Sequence, residues 1–136
     1  MIKTIAHVCL VAKDMVKSID FYENKLKLKR KFSFRKGPKL IGVYISVGPD
    51  NFIEIFQNEK NNPVNTGITH FCLETADIDA AIRELTAAGV ECSPKKLGCD
   101  QAYQTWIKDP DGNKIELHQY MKNCAQLTGK DCEVDW

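Results

Sequence analysis

Alternating hydropathy through Ile5-Ala6-His7-Val8-Cys9-Leu10-Val11, with its β-branched residues, predicts a strand over residues 5–11. Asp14 then reads as a helix N-cap, and Ile19, Tyr22 and Leu26 recur at helical spacing through about residue 27. Three strands are predicted over residues 28–34, 39–47 and 51–57, broken by Gly37-Pro38 and Gly48-Pro49-Asp50. Residues 68–73 read as a strand, and Asp77 caps a helix carrying Ile78, Ala81, Ile82 and Leu85 that Gly89 ends. Short strands follow over 90–92, 103–108 and 113–120, with Asp109-Pro110-Asp111-Gly112 as the turn before the last. The order is β-α-β-β-β, twice, an α+β pattern.

The residues themselves repeat as well as the pattern. Ile5-Ala6-His7-Val8-Cys9-Leu10-Val11-Ala12-Lys13-Asp14 overlies Ile68-Thr69-His70-Phe71-Cys72-Leu73-Glu74-Thr75-Ala76-Asp77 at an offset of 63, matching at five of ten places. At an offset of 62, Asn51-Phe52-Ile53-Glu54-Ile55-Phe56-Gln57 overlies Asn113-Lys114-Ile115-Glu116-Leu117-His118-Gln119, matching at four of seven. One module is therefore expected over residues 1–57, a polar linker with Asn61-Asn62-Pro63 over 58–67, and a second module over 68–120. Residues 121–136 match nothing in the other half and are expected to be a helix or a loose tail.

Composition narrows the classes without choosing one. The 136 residues, 43% hydrophobic and 27% charged, suit a soluble globular chain. A net charge of +1 gives no argument for nucleic acid or an anionic membrane. No apolar run approaches a membrane span, and the first residues lack the longer apolar core of a secretory signal. The six cysteines contain no CxxC, so reduced thiols and a cytoplasmic location are expected.

The repeat places metal-binding residue types at equivalent positions: His7 and Glu54 in one half, His70 and Glu116 in the other. On strands, His7 shares a face with Cys9 and Val11, His70 with Cys72 and Glu74, Glu54 with Phe52 and Phe56, and Glu116 with His118. A lone His in an apolar strand is usually a satisfied core residue, and a lone Glu there points to solvent. The repetition favours ligands instead. Were the halves to pack about a pseudo-twofold, two imidazoles and two carboxylates would converge on one divalent ion such as Zn, Ni, Mn, Fe or Co. Cys9 and Cys72 read as small buried thiols lining that cleft. His118 is a candidate substrate or outer contact, while Trp106, Tyr44 and Tyr103 read as core or rim aromatics.

On these residues the sequence resembles the vicinal oxygen chelate superfamily, which includes glyoxalase I, bleomycin-resistance proteins, epimerases and extradiol dioxygenases. The resemblance spans residues 3–120, and its most specific carrier is Lys108-Asp109-Pro110-Asp111-Gly112-Asn113-Lys114-Ile115-Glu116-Leu117. It implies paired βαβββ modules, and within the superfamily the glyoxalase I ligand pattern falls on His7, Glu54, His70 and Glu116. It further implies a homodimer, one divalent metal ion (nickel or zinc first), and a glutathione contact at Asn58. The family's Arg four residues beyond the first His falls on Val11, which leaves another thiol adduct or a non-thiol substrate open.

The implied activity is a lactoylglutathione lyase-type isomerisation of a small dicarbonyl-derived substrate through a metal-bound enediolate. Glu116 is then the primary base and Glu54 serves the other substrate face. An epimerase, a thiol transferase to an antibiotic, a dioxygenase and a non-catalytic drug-binding protein are the alternatives.

Overall fold

The computed structural model describes residue 5 and residues 7–49, 51–58 and 70–128. The chain divides into two compact units, Met1–Val64 and Asn65–Trp136. Residues 59–67, most of the expected linker, and 129–136 lie outside the described residues.

In unit 1, β1 (His7–Ala12) leads into α1 (Met15–Ile19), then β2 (Lys29–Lys36), β3 (Lys39–Ser46) and β4 (Phe52–Gln57). The Asp14 carboxylate starts the helix by accepting the N–H groups of Val16 (3.0 Å) and Lys17 (3.2 Å). The helix predicted through residue 27 is not uniform: Asp20–Lys25 is wound as a π-helix, with Leu26 N–H donating to Phe21 C=O at 2.9 Å. Adjacent Phe21 and Tyr22 are both buried there, their rings edge to face at 5.1 Å. Lys27 ends the turn at φ +57°.

The strands order as β1-β4-β3-β2, with β1 and β4 parallel and the remaining pairs antiparallel. Side-chain alternation then divides the sheet. Val43, Ile45, Ile53 and Ile55 are buried with Ala12, Met15, Phe21 and Tyr22 as the core of this unit. The other face carries His7, Cys9 and Val11 beside Phe52, Glu54 and Phe56.

Unit 2 repeats this plan. It runs β5 (Phe71–Glu74), α2 (Ile78–Ala87), β6 (Lys96–Leu97), β7 (Tyr103–Lys108) and β8 (Lys114–Gln119), in the order β5-β8-β7-β6. The Asp77 carboxylate accepts Ala80 N–H at 2.9 Å, and Gln119 Oε1 accepts Ile78 N–H at 3.0 Å, tying α2 to β8. Gly89 follows α2 at φ +77°, as expected of a residue that ends a helix. Ile78, Leu85, Val90, Ile107, Ile115 and Leu117 form the core.

The strand expected over 90–92 is absent, and the edge strand is Lys96–Leu97 instead. Ser93 occupies the ladder position differently: its N–H donates to Trp106 C=O and its Oγ accepts Trp106 N–H, both at 2.9 Å. Pro94, next in line, has no N–H to continue the pairing.

Before β8, Asp109 closes the predicted turn. Its Oδ1 accepts the N–H groups of Asp111 (3.0 Å) and Asn113 (2.8 Å), and its Oδ2 accepts Asn113 Nδ2 (2.8 Å). Gly112 supplies the required φ of +84°. Asp109 is buried, so Asp109→Ala would leave three donors without their acceptor. A loss of about 2–3 kcal/mol in urea denaturation is expected, and a loss under about 0.5 kcal/mol contradicts the assignment.

After β8, Cys124 is buried, and α3 (Ala125–Thr128) is fastened to Asp100, whose C=O accepts Ala125 N–H at 2.8 Å. The cysteines among the described residues are free. Among those residues no helix is long and apolar enough to cross a membrane.

Candidate metal centre

The open face of unit 1 brings His7 and Glu54 together. Cys9 is the register partner of Glu54 on one side and Tyr44 on the other, so the carboxylate projects between β1 and β3. His7 Nε2 lies 3.8 Å from Glu54 Oε2. On the far side of the ring, a 3.2 Å hydrogen bond joins His7 Nδ1 and Tyr44 Oη. With Nδ1–H donating to the hydroxyl, Nε2 keeps its lone pair toward the carboxylate. Phe32 stacks on Tyr44 at 4.6 Å, and Phe34 packs on Phe56 at 4.7 Å, so aromatic rings surround the pair.

Unit 2 sets His70 against Glu116 in the corresponding way. His70 immediately precedes β5, and its Nε2 lies 3.6 Å from Glu116 Oε2. Trp106, the β7 register partner of Glu116, presents its ring to His70 edge to face at 4.8 Å. Here a second imidazole joins: His118 Nε2 lies 3.2 Å from Glu116 Oε1. Glu116 is only 7% exposed, a carboxylate held between two imidazoles.

Cys9 and Cys72, expected to be buried, are exposed on the open face of their sheets, where period-two alternation puts them opposite the core. Their thiols are nonetheless held protonated. Burial, then a hydrogen bond to Glu54 and its charge, pushes Cys9 up to about 11. Burial, then the charges of Glu116, Asp100 and Glu74, pushes Cys72 up to about 12. Burial works against ionised Asp100, but hydrogen bonds from Gln126 and Ala102 and the nearby His118 bring its carboxyl below the usual range.

Residues 4–117 match the family described as the Glyoxalase/Bleomycin resistance protein/Dioxygenase superfamily. The chain belongs to this superfamily. It is similar to the protein YwkD of Bacillus subtilis (strain 168), 25% identical over 126 residues that cover 88% of this chain and 98% of YwkD. TnmS3, an antibiotic binding protein from Streptomyces sp. CB03234, shares the fold at TM-score 0.74 and 22% identity, covering 88% of this chain and 98% of its own. Lactoylglutathione lyase from Agrobacterium tumefaciens shares it at TM-score 0.67 and 19% identity, covering 85% and 92%. An enzyme and a binding protein thus stand on one fold, and the superfamily frame leaves chemistry to the side chains.

The side chains of this superfamily member suit a divalent cation. Two ligands about 2.1 Å from one ion are about 3.0–3.4 Å apart at common coordination angles. The imidazole–carboxylate separations of 3.8 and 3.6 Å approach that spacing. The donors are borderline nitrogen and hard oxygen, the mixture that first-row divalent metals take.

Asn58 directly follows β4, the strand that carries Glu54. It is exposed, and its N–H donates to Ala12 C=O at 2.9 Å, extending the β1–β4 ladder.

The sequence places Tyr44 and Trp106 only as core or rim aromatics, with no part in the site. Yet they stand at the same offset of 62 as the two glutamates, and each touches the histidine of its own unit. That shared offset was the available signal. The non-identity of Tyr and Trp hid it.

Proposed function

We propose that the protein is a metal-dependent, glyoxalase-like enzyme of the lactoylglutathione lyase type, isomerising a small dicarbonyl-derived substrate. One observation carries the reading: each unit sets one imidazole against one carboxylate, His7 with Glu54 and His70 with Glu116, at 3.8 and 3.6 Å. These four residues are the proposed ligands of a divalent ion, nickel or zinc first. When bound, such an ion supplies Lewis acidity toward a carbonyl oxygen.

The chain's own residues supply the rest. Glu116 takes the proton α to the carbonyl and returns it to the adjacent carbon, and Glu54 serves the opposite substrate face. Tyr44 and Trp106 hold the rings of His7 and His70 in place. Asn58 and His118 are the proposed substrate contacts. A cytoplasmic homodimer acting on a thiol adduct completes the proposal, with residues 1–57 and 68–120 as modules, 58–67 as linker and 121–136 as tail.

Metal analysis on protein purified without chelators tests it. Close to stoichiometric metal, lost on chelation together with hemithioacetal turnover, is the expected result. Less than about 0.2 equivalents per chain, with no rise in Tm on adding nickel or zinc, overturns it. The aromatic face of unit 1, where Phe32 is 46% exposed, favours drug binding without turnover in that event.

A further inference from the structure

The two units share a frame, and some of the positions at which they differ lie beside Glu116. Where unit 1 carries Val11 and Phe56, unit 2 carries Glu74 and His118, register partners on adjacent strands. Cys72 is the register partner of Glu116 in the parallel ladder, and its side chain stands on the same face. A sulfur from Cys72, a carboxylate oxygen from Glu116 and a ring nitrogen from His118 all lie within 4.8 Å of one another. Among the described residues this is the group of three such donors that the fold assembles. In unit 1, Cys9 also adjoins Glu54, but Phe56 takes the place of the third donor.

Glu116 can serve this group without leaving His70. Its Oε1 faces His118 at 3.2 Å, while its Oε2 faces His70 at 3.6 Å. Glu74, the register partner of His118 in the same ladder, adds a carboxylate on the face that carries this group.

We propose that Cys72, Glu116 and His118 form a zinc site within unit 2, built from a different donor set than the histidine–carboxylate pairs and sharing only Glu116 with them. One sulfur, one oxygen and one nitrogen select a thiophilic borderline ion over magnesium or calcium, and three protein ligands leave a fourth position for water. As the zinc–sulfur bond forms, the Cys72 thiol gives its proton to solvent. The site goes beyond the proposed isomerase and does not require it, since neither His7 nor Glu54 takes part.

Cobalt(II), a spectroscopic substitute for zinc, tests the site in the full chain stripped of metal. A thiolate-to-cobalt charge-transfer absorption is expected in the parent protein and in Cys9→Ser, His7→Gln and His70→Gln. It is expected to vanish in Cys72→Ser, with the far-UV circular dichroism unchanged. His118→Gln is expected to weaken cobalt binding at least about tenfold, and it decides the matter should Cys72→Ser fail to fold. Absence of the band in the parent, its survival in Cys72→Ser, its loss in Cys9→Ser, or unchanged affinity in His118→Gln overturns the proposal. Failure of the isomerase reading would leave the band in place. Failure of this site would remove the band while metal dependent on His7 and His70 remained countable.

Discussion

Glu116→Gln is expected to fold like the parent and to lose about 10²–10⁴-fold in turnover of 2-oxoaldehyde hemithioacetals at saturating metal. The size of the effect follows from what the substitution removes. A neutral amide keeps the shape that fits between His70 and His118 but no longer accepts a proton at neutral pH. Core packing is barely touched, because Ile115 and Leu117, on the opposite face of β8, are the residues that hold the strand. Near-native circular dichroism and Tm with collapsed kcat is the expected combination. Full activity in Glu116→Gln would remove the residue from the role of base. Metal content measured on the same samples separates loss of the base from loss of the ion.

Gly42→Val is expected to destabilise the protein by about 2–4 kcal/mol. Gly42 lies in β3 opposite Phe56. A Cβ there would sit 2.6 Å from Phe56 Cδ1 and 2.8 Å from the backbone oxygen of Ile55. The ring can turn away, but the carbonyl is held by the sheet. Urea denaturation measures the loss, and Phe56→Ala in the same chain is expected to restore only part of it. An unchanged midpoint in Gly42→Val would mean that the β3–β4 packing is looser than these distances require. In unit 2, Gln104 stands at the equivalent place, opposite His118.

Much of the frame was legible in the chain because it rests on local chemistry. Asp14 and Asp77 cap their helices as their side chains predict, since capping involves only donors two or three residues away. The turn at Asp109–Gly112 forms as read, for the same reason. Alternation placed Ile53 and Ile55 inward with Glu54 between them, and the same holds for Ile115, Glu116 and Leu117. What misled was the competition between near-equal local options. Residues 90–92 have strand-like content, but the Ser93 hydroxyl captures the Trp106 amide and the edge strand forms four residues later. The helix from residue 15 meets two adjacent aromatics that both bury, and it widens into a π-turn.

The sequence by itself determined the two βαβββ modules, their equivalence, and the pairing of one histidine with one glutamate in each. These follow from period-two alternation and from a repeat that any gapless overlay exposes. Only the tertiary structure decided which neighbours those residues meet. Tyr44 reaches His7 and Trp106 reaches His70 because β3 and β7 lie beside β4 and β8, a pairing set by sheet order rather than by spacing. Cys72 reaches Glu116 and His118 through a parallel ladder whose strands are separated by more than forty residues. Contacts of that range are fixed by strand register and by the burial of one sheet face, which no local pattern specifies.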